Sequence, residues 1–240
     1  MESASPSIDV QTNLRKVLDS IERAAQKAGR SGSSVKLVAV SKTVGVESIR
    51  QAVVGGAAVL GENKVQEASS KKPLLSDLPA EWHLIGALQK NKANRAAEIF
   101  DWVESLDDLE LASKLDRACE RLNKRMPVLI QVNVGREASK SGIAEEEAAD
   151  FAGRVSAFKH LEVRGLMAIP PYSEDVEESR PHFIRLRELA ERIESQRLTG
   201  ISMKELSMGM SHDFLEAIAE GATLVRVGTA IFGPRSLKYE

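Results

Sequence analysis

The sequence predicts a single-domain α/β barrel in which eight parallel strands alternate with helices after an extra N-terminal helix. Three observations lead to this fold class. Apolar runs alternate with amphipathic helical segments, several of the runs contain no polar residue, and the chain has 240 residues. Uninterrupted apolar strands are typical of a parallel sheet buried on both faces, and barrels of eight βα units span about 250 residues. An open doubly wound sheet is the alternative, but it usually has fewer strands.

The first predicted element is a helix over 8–28. Apolar residues recur at helical spacing, among them Leu14, Val17 and Ile21, and Gly29 follows where a C-cap is expected. This helix precedes the first strand, so it is additional to the eight βα units.

The remaining elements alternate strictly between strand and helix. Each strand is a short apolar run, and each helix has apolar residues three and four positions apart. The predicted strands are 35–40, 57–60, 82–85, 102–105, 128–132, 163–169, 206–208 and 224–227. The predicted helices between them are 46–54, 63–75, 92–100, 107–124, 145–158, 181–195 and 213–220, so the last strand leads into a C-terminal tail. We therefore expect one domain over 8–235, with tails at 1–7 and 236–240.

Composition narrows the possible functions. Lys and Arg number 33 against 35 Asp and Glu, a net charge of −2, so no general positive field favours nucleic-acid binding. Cys119 is the only cysteine, which excludes an intrachain disulfide and a cysteine-rich zinc site. The start of the chain does not resemble a secretory signal, and the longest run without polar side chains, 52–61, is too short to span a bilayer. We expect a cytoplasmic protein that contacts no membrane.

In this architecture the active site lies at the carboxyl ends of the strands. Lys42 follows the first apolar strand, where partial desolvation would lower its pKa and favour Schiff-base formation with a carbonyl. A strand-end lysine that extends into solvent is the alternative. Arg226 lies within an apolar run, and a buried arginine is costly unless paired. It is therefore functional, part of a structural ion pair, or directed outward against the helix layer.

Small and hydroxyl-bearing residues follow the last two strands, at 207–211 and at Gly228-Thr229. Loops after strands seven and eight form the usual phosphate site of this fold, although two ordinary tight turns would have the same composition. His83 lies within the third strand, where it is either a cleft residue or a hydrogen-bonded core histidine. The four histidines have no metal-ligand spacing, so no metal site is predicted.

Five dispersed motifs identify a resemblance that covers residues 8 to 235. They are VAVSKT (38–43), GENKVQE (61–67), WHLIGALQKNK (82–92), LSMGMSHD (206–213) and VRVGTAIFG (225–233). In these motifs the chain resembles the YggS/PROSC family of pyridoxal phosphate homeostasis proteins. The resemblance implies a (β/α)8 barrel similar to the N-terminal domain of alanine racemase, with pyridoxal 5′-phosphate as the cofactor.

The resemblance also implies roles for particular residues. Lys42 corresponds to the residue that forms the internal aldimine with the cofactor. Ser211, Gly228 and Thr229 correspond to phosphate contacts, and Arg226 corresponds to the group that faces the pyridine nitrogen.

Four further residues match motif positions of the family's cofactor pocket. They are Asn63, His83, Ser207 and Met208. No catalytic residue is predicted in addition to these cofactor contacts.

The residues favour storage of the cofactor over catalysis. A permanently cationic Arg226 would leave the pyridine nitrogen unprotonated and weaken the ring as an electron sink. Racemisation would need an acid/base group on each face of the cofactor, and only Tyr172 could serve the face opposite Lys42. We therefore expect a non-catalytic carrier, monomeric and able to supply apo forms of pyridoxal enzymes. An amino-acid racemase is the alternative, and a Schiff-base aldolase acting on a sugar phosphate is a third hypothesis.

Overall fold

Eight parallel strands close into a barrel in the computed structural model, which describes residues 8–137 and 140–234. Each strand pairs with the next one along the chain, and the last pairs with the first, with Lys36 opposite Leu224. The strands are β1 (Lys36–Val40), β2 (Val59–Glu62), β3 (Glu81–Leu84), β4 (Trp102–Leu106), β5 (Met126–Gln131), β6 (Leu161–Met167), β7 (Ile201–Met210) and β8 (Leu224–Val227). The predicted (β/α)8 barrel is therefore confirmed, and the open sheet is not observed.

A helix follows every strand. The helices are α1 (Val10–Lys27), α2 (Val46–Val54), α3 (Val65–Lys71), α4 (Ala93–Ile99), α5 (Leu109–Arg121), α6 (Ala148–Val155), α7 (Arg180–Ser195), α8 (Phe214–Ala219) and α9 (Thr229–Phe232). All the predicted helices are present, and several are shorter than predicted because a 3-10 turn replaces the first or last turn, as at Lys72–Leu75. Of the predicted domain, residues 138–139 and 235 lie outside the described residues, as do both predicted tails, 1–7 and 236–240.

The expectation that β8 leads directly into a tail is wrong, because α9 follows it. This helix has only four residues, and α1 packs against it and against both α8 and α2. The Asn13 side chain donates a hydrogen bond to the Ile231 carbonyl at 3.2 Å. The extra N-terminal helix therefore occupies the place in the outer ring that a full eighth helix would take.

Strand β7 is much longer than the predicted 206–208 and includes most of the segment expected to be a loop. Its register against β8 shifts between Ser207 and Met210. Gly209 in this irregular stretch has a φ of 88°, and a Cβ there would lie 2.5 Å from the Ala217 Cβ. Only glycine fits such a position, and the bulge turns the end of β7 toward the mouth of the barrel.

The core has two parts, as expected of a barrel surrounded by helices. The larger part lies between the sheet and the helices and includes Cys119, which is fully buried. The smaller part lies inside the barrel and consists of Val38, Val40, Val59, Ile85 and Leu224. Within the described ranges, no helix is long and apolar enough to cross a membrane.

Candidate functional site

A cavity of about 710 Å³ opens at the carboxyl ends of the strands. Its apolar wall includes Val40 and Ile85, and it lies above the small core inside the barrel. Six of the nine sequence-predicted site residues line it. They are Lys42, Asn63, Ser211, Arg226, Gly228 and Thr229. The volume falls in the range of about 300–1,000 Å³ that is usual for small-molecule sites.

Lys42 lies just beyond the end of β1 and is half-buried. Its predecessor Ser41 is fully buried, and its successor Thr43 has a φ of 64°. A positive φ is uncommon for a threonine and is retained only where surrounding contacts enforce it. The chain therefore turns sharply at Lys42 as it leaves the barrel wall.

Arg226 reaches the cavity from inside the barrel, on β8. The residue is 3% exposed; its Nη1 donates to the Ser207 Oγ at 2.5 Å and its Nη2 to the Ala168 carbonyl at 2.7 Å. Burial lowers the pKa of Arg226, while Glu104 and Asp213 oppose this effect. The guanidinium remains a cation because arginine starts from so high a pKa.

The hydroxyl-bearing residues meet where β7 and β8 end. Ser211, beyond β7, accepts a hydrogen bond from the Gly228 amide at 3.1 Å, which holds the ends of β7 and β8 together. Thr229 follows at the start of α9 and is exposed to the cavity. These groups offer hydroxyl and backbone donors to an anion, the chemistry that a phosphate needs.

Asn63 follows β2 and lies against the segment after β3. A Cβ on Gly86 would lie 2.5 Å from the Asn63 carbonyl oxygen, so only glycine permits this approach. The close contact brings the Asn63 side chain and the backbone of Gly86 into the same wall of the cavity.

The structure places His83, Ser207 and Met208 outside the lining of the cavity. Met208 is fully buried between the sheet and the helices. His83 and Ser207 lie inside the barrel and are joined by Glu104: the His83 Nδ1 is 2.6 Å from the Glu104 Oε1, and the Ser207 Oγ donates to the Glu104 Oε2 at 2.5 Å. We call the series His83, Glu104, Ser207 and Arg226 the interior chain.

Charge stabilises the interior chain in its ionised form. Burial would lower the pKa of His83, but the Glu104 carboxylate bonded to Nδ1 and the Glu81 carboxylate 3.6 Å from Nε2 outweigh it and raise that pKa. Burial would likewise raise the pKa of Glu104, but His83 and Arg226 outweigh it and lower that pKa. The His83 ring also stacks on Trp102, with centroids 5.3 Å apart. The interior chain is therefore a connected series of buried charged and polar groups that ends in the Arg226 guanidinium at the cavity.

Sequence reasoning did not identify Glu104. Its signal is a single glutamate within the otherwise apolar and small-residue strand β4, the same signal that drew attention to Arg226 in β8. Several lining residues also lacked a predicted role. They are Gln131, Lys140, Ser141, Met210 and His212.

Tyr172, the one side chain expected to be able to serve the second face, lies at the rim of the cavity. It is 74% exposed, and its ring centroid is 5.1 Å from that of His212. The His212 Nε2 lies 3.1 Å from the Ser173 carbonyl. The tyrosine therefore lies at the rim with its ring against His212, and it is not a buried group on the cavity floor.

Comparison with known proteins places this geometry in a family. The family model of the alanine racemase N-terminal domain matches residues 12–236. Two curated relatives are each named pyridoxal phosphate homeostasis protein. The relative from Pasteurella multocida is 42% identical over 94% of this chain and 97% of its own length, and the one from Aquifex aeolicus is 44% identical over 92% and 96%.

Two solved structures of one further protein are also similar to this chain over most of its length. PipY of Synechococcus elongatus has been solved with pyridoxal phosphate bound, and it matches with a TM-score of 0.78 and 39% identity, covering 89% of this chain and all of that one. Its structure without pyridoxal phosphate matches with a TM-score of 0.84 and 36% identity over 94% of this chain and all of that one. The chain therefore belongs to the family of pyridoxal phosphate homeostasis proteins, whose fold is that of the alanine racemase N-terminal domain.

Proposed function

We propose that this protein holds pyridoxal 5′-phosphate on Lys42 and acts in pyridoxal phosphate homeostasis without substantial catalytic turnover. One observation carries the proposal: an amine, a buried guanidinium and a set of hydroxyl and amide donors open into a single cavity at the carboxyl end of the barrel. The two named relatives and the pyridoxal phosphate bound to PipY support this assignment.

The donor set matches the chemistry of the cofactor. Its aldehyde requires a primary amine, which Lys42 would supply by forming a Schiff base. Its phosphate requires hydroxyl and amide donors, for which we propose Ser211, Gly228 and Thr229. Its pyridine nitrogen would face Arg226. When bound, the cofactor contributes a conjugated ring able to accept electrons.

The other predicted residues would act at different distances from the cofactor. We propose that Asn63 contacts it from the β2 side of the cavity. Ser207 would act through Arg226, because its hydroxyl accepts a hydrogen bond from the guanidinium, and His83 would act less directly, through Glu104 and Ser207. Met208 would contribute packing beneath the end of β7.

The environment of Arg226 supports storage over catalysis. A guanidinium facing the pyridine nitrogen disfavours protonation of that nitrogen, and an unprotonated ring stabilises a carbanion poorly. The second acid/base group that racemisation needs would have to be Tyr172, which is largely exposed at the rim. Its place on the cavity wall makes racemase activity the second candidate function.

Absorption spectroscopy tests the assignment of Lys42. Purified wild-type protein should show the visible band of a lysine Schiff base after addition of pyridoxal phosphate, and Lys42→Ala should show none. Lys124→Ala is the matched control, because Lys124 is also a half-buried lysine but bonds to carbonyls of Ala97 and Phe100 at the opposite end of the barrel. A wild-type protein without the band would contradict the proposal.

The same preparations test for catalysis. Incubation of the loaded wild-type protein with single amino acids should give no racemisation at the rates of about 1–10³ s⁻¹ that are typical of enzymes. Turnover at such rates that disappears in Lys42→Ala and in Tyr172→Phe would favour the racemase.

Three further features stay predictions from the sequence. We propose that residues 8–235 form the single domain, that the protein is a cytoplasmic monomer, and that apo forms of pyridoxal enzymes accept the cofactor from it. Sedimentation analysis would test the monomer, and mixing the loaded protein with an apo-enzyme would test transfer.

A further inference from the structure

A second group of buried charges lies outside the barrel wall, beneath α3. We call Lys71, Glu62 and Glu67 the Lys71 cluster. The Lys71 Nζ lies 2.9 Å from the Glu62 Oε1 and 2.6 Å from the Glu67 Oε1. Lys71 is 8% exposed and Glu62 is fully buried. None of the three lines the cavity, so the proposed function leaves the cluster without a role.

The Lys71 cluster holds the residues on both sides of Lys42. On one side, the Lys71 Nζ donates to the Ser41 carbonyl at 2.7 Å, and the Ser41 Oγ donates to the Glu62 Oε1 at 2.7 Å. On the other side, the Thr43 amide donates to the Glu67 Oε1 at 2.5 Å. One buried cluster therefore fixes the backbone immediately before and after Lys42.

The contact to Thr43 explains its unusual backbone. A φ of 64° is unfavourable for a threonine. In this turned conformation the Thr43 amide donates to the Glu67 carboxylate, and Lys71 in turn holds that carboxylate. A backbone hydrogen bond from the Val44 amide to the Ser41 carbonyl at 3.0 Å closes the same turn, so the cluster and this local bond together hold the backbone around Lys42.

Stability alone is a weak reason to bury such a cluster. Replacing buried ion pairs with apolar residues of similar volume is often neutral or stabilising. Burial raises the pKa of Glu62 despite the hydrogen bonds from Ser41 and Lys71, so burying this group as a carboxylate is unfavourable. The geometry that the cluster imposes on Ser41 and Thr43 is what an apolar replacement would lose.

We propose that Lys71, Glu62 and Glu67 are positioning residues, which fix the backbone on both sides of Lys42 so that its amine meets the cofactor aldehyde in one orientation. This inference rests on the proposed function. It assigns the cluster no contact with the cofactor, and it gives the two lysines different roles: Lys42 reacts with the cofactor, and Lys71 positions the backbone beside it.

A matched pair of variants tests the proposal. Lys71→Met and Lys124→Met each remove a lysine ammonium that donates to backbone carbonyls, but only Lys71 contacts the neighbours of Lys42. Without cofactor, NMR-detected hydrogen exchange at the Thr43 amide should be at least about tenfold faster in Lys71→Met than in Lys124→Met. With added pyridoxal phosphate, the visible band should form about 10- to 100-fold more slowly in Lys71→Met, since small misplacements of reacting groups have effects of this size.

The outcomes separate the two claims. The positioning role would be overturned by a folded Lys71→Met variant with two properties. Its Thr43 amide would exchange at the rate seen in Lys124→Met, and it would form the visible band at the wild-type rate. If Lys71→Met does not fold, Glu67→Gln decides the matter with the same two readouts, because it keeps a carbonyl acceptor for Thr43 and loses the ion pair with Lys71. A wild-type protein without the band would contradict the proposed function, whereas exchange of the Thr43 amide would still test whether the Lys71 cluster holds the backbone beside Lys42.

Discussion

Two fully buried glutamates beside the cavity have pKa values shifted in opposite directions. Glu104, inside the barrel, has its pKa lowered because His83 and Arg226 outweigh the effect of burial. Glu62, outside the barrel wall, has its pKa raised because burial outweighs Ser41 and Lys71, and Lys71 is shared with a second carboxylate. The number of cations per carboxylate therefore decides which buried glutamate is stabilised as an anion.

The two clusters also end differently. The interior chain ends in the Arg226 side chain, which lines the cavity. The Lys71 cluster ends on the backbone of Ser41 and Thr43, neither of which lines the cavity, whereas Lys42 between them does. One cluster contributes charge to the site and the other contributes geometry, and the following predictions test that distinction.

The largest effect is expected for Glu104→Leu. This change leaves Arg226 and His83 buried without their shared partner, which should lower the free energy of unfolding by about 3–5 kcal/mol. Glu62→Leu should lower the free energy of unfolding by clearly less, because Lys71 keeps its ion pair with Glu67. Urea unfolding of both variants, with exposed Glu120→Leu as the control, measures the difference. Equal losses in the two buried variants would contradict the comparison.

A smaller effect is expected for Ser207→Ala. The hydroxyl bridges Glu104 and Arg226, so its removal leaves the charges in place and deletes one link, at a cost of about 1–3 kcal/mol. It should also weaken pyridoxal phosphate binding, since Arg226 loses one of its two hydrogen bonds. Fluorescence titration checks the affinity, and an unchanged dissociation constant would show that the interior chain does not support the site.

The smallest effect is a dependence on pH. The pKa of His83 is raised in the folded state, so its contribution to stability is fully present below its unfolded pKa of about 6.5 and is lost as the pH rises through the folded value. The stability difference between wild type and His83→Gln should therefore shrink from pH 6 to pH 9. Urea unfolding at both pH values measures it, and a difference that grows with pH would contradict the charged interior chain.

Much of the fold could be predicted from the sequence because buried parallel strands and amphipathic helices have distinct periodicities. Strand β8 was predicted with its observed bounds. Strand β7 was not, because its polar first half and Gly209 interrupt the apolar pattern, and the bulge is stabilised by contacts with α8. Helix α9 was missed because four residues carry too little periodicity.

The candidate site was predicted less completely. Lys42 and Arg226 could be identified because each is a charged residue at or within an apolar run. Glu104, Glu62 and Lys71 could not be given roles, because the sequence does not show which polar residues face one another across a barrel wall. His83 illustrates the same limit: its strand was predicted, and its pairing with Glu104 below the cavity was not.

Chemical trapping tests most directly whether Lys42 is the lysine that holds pyridoxal phosphate. Borohydride reduction of the protein loaded with pyridoxal phosphate would make the lysine adduct permanent, and peptide mass spectrometry would locate it. We expect a single adduct on the peptide that contains Lys42, with none on Lys71 or Lys140. An adduct on another lysine, or none at all, would contradict the assignment of this cavity as a pyridoxal phosphate site.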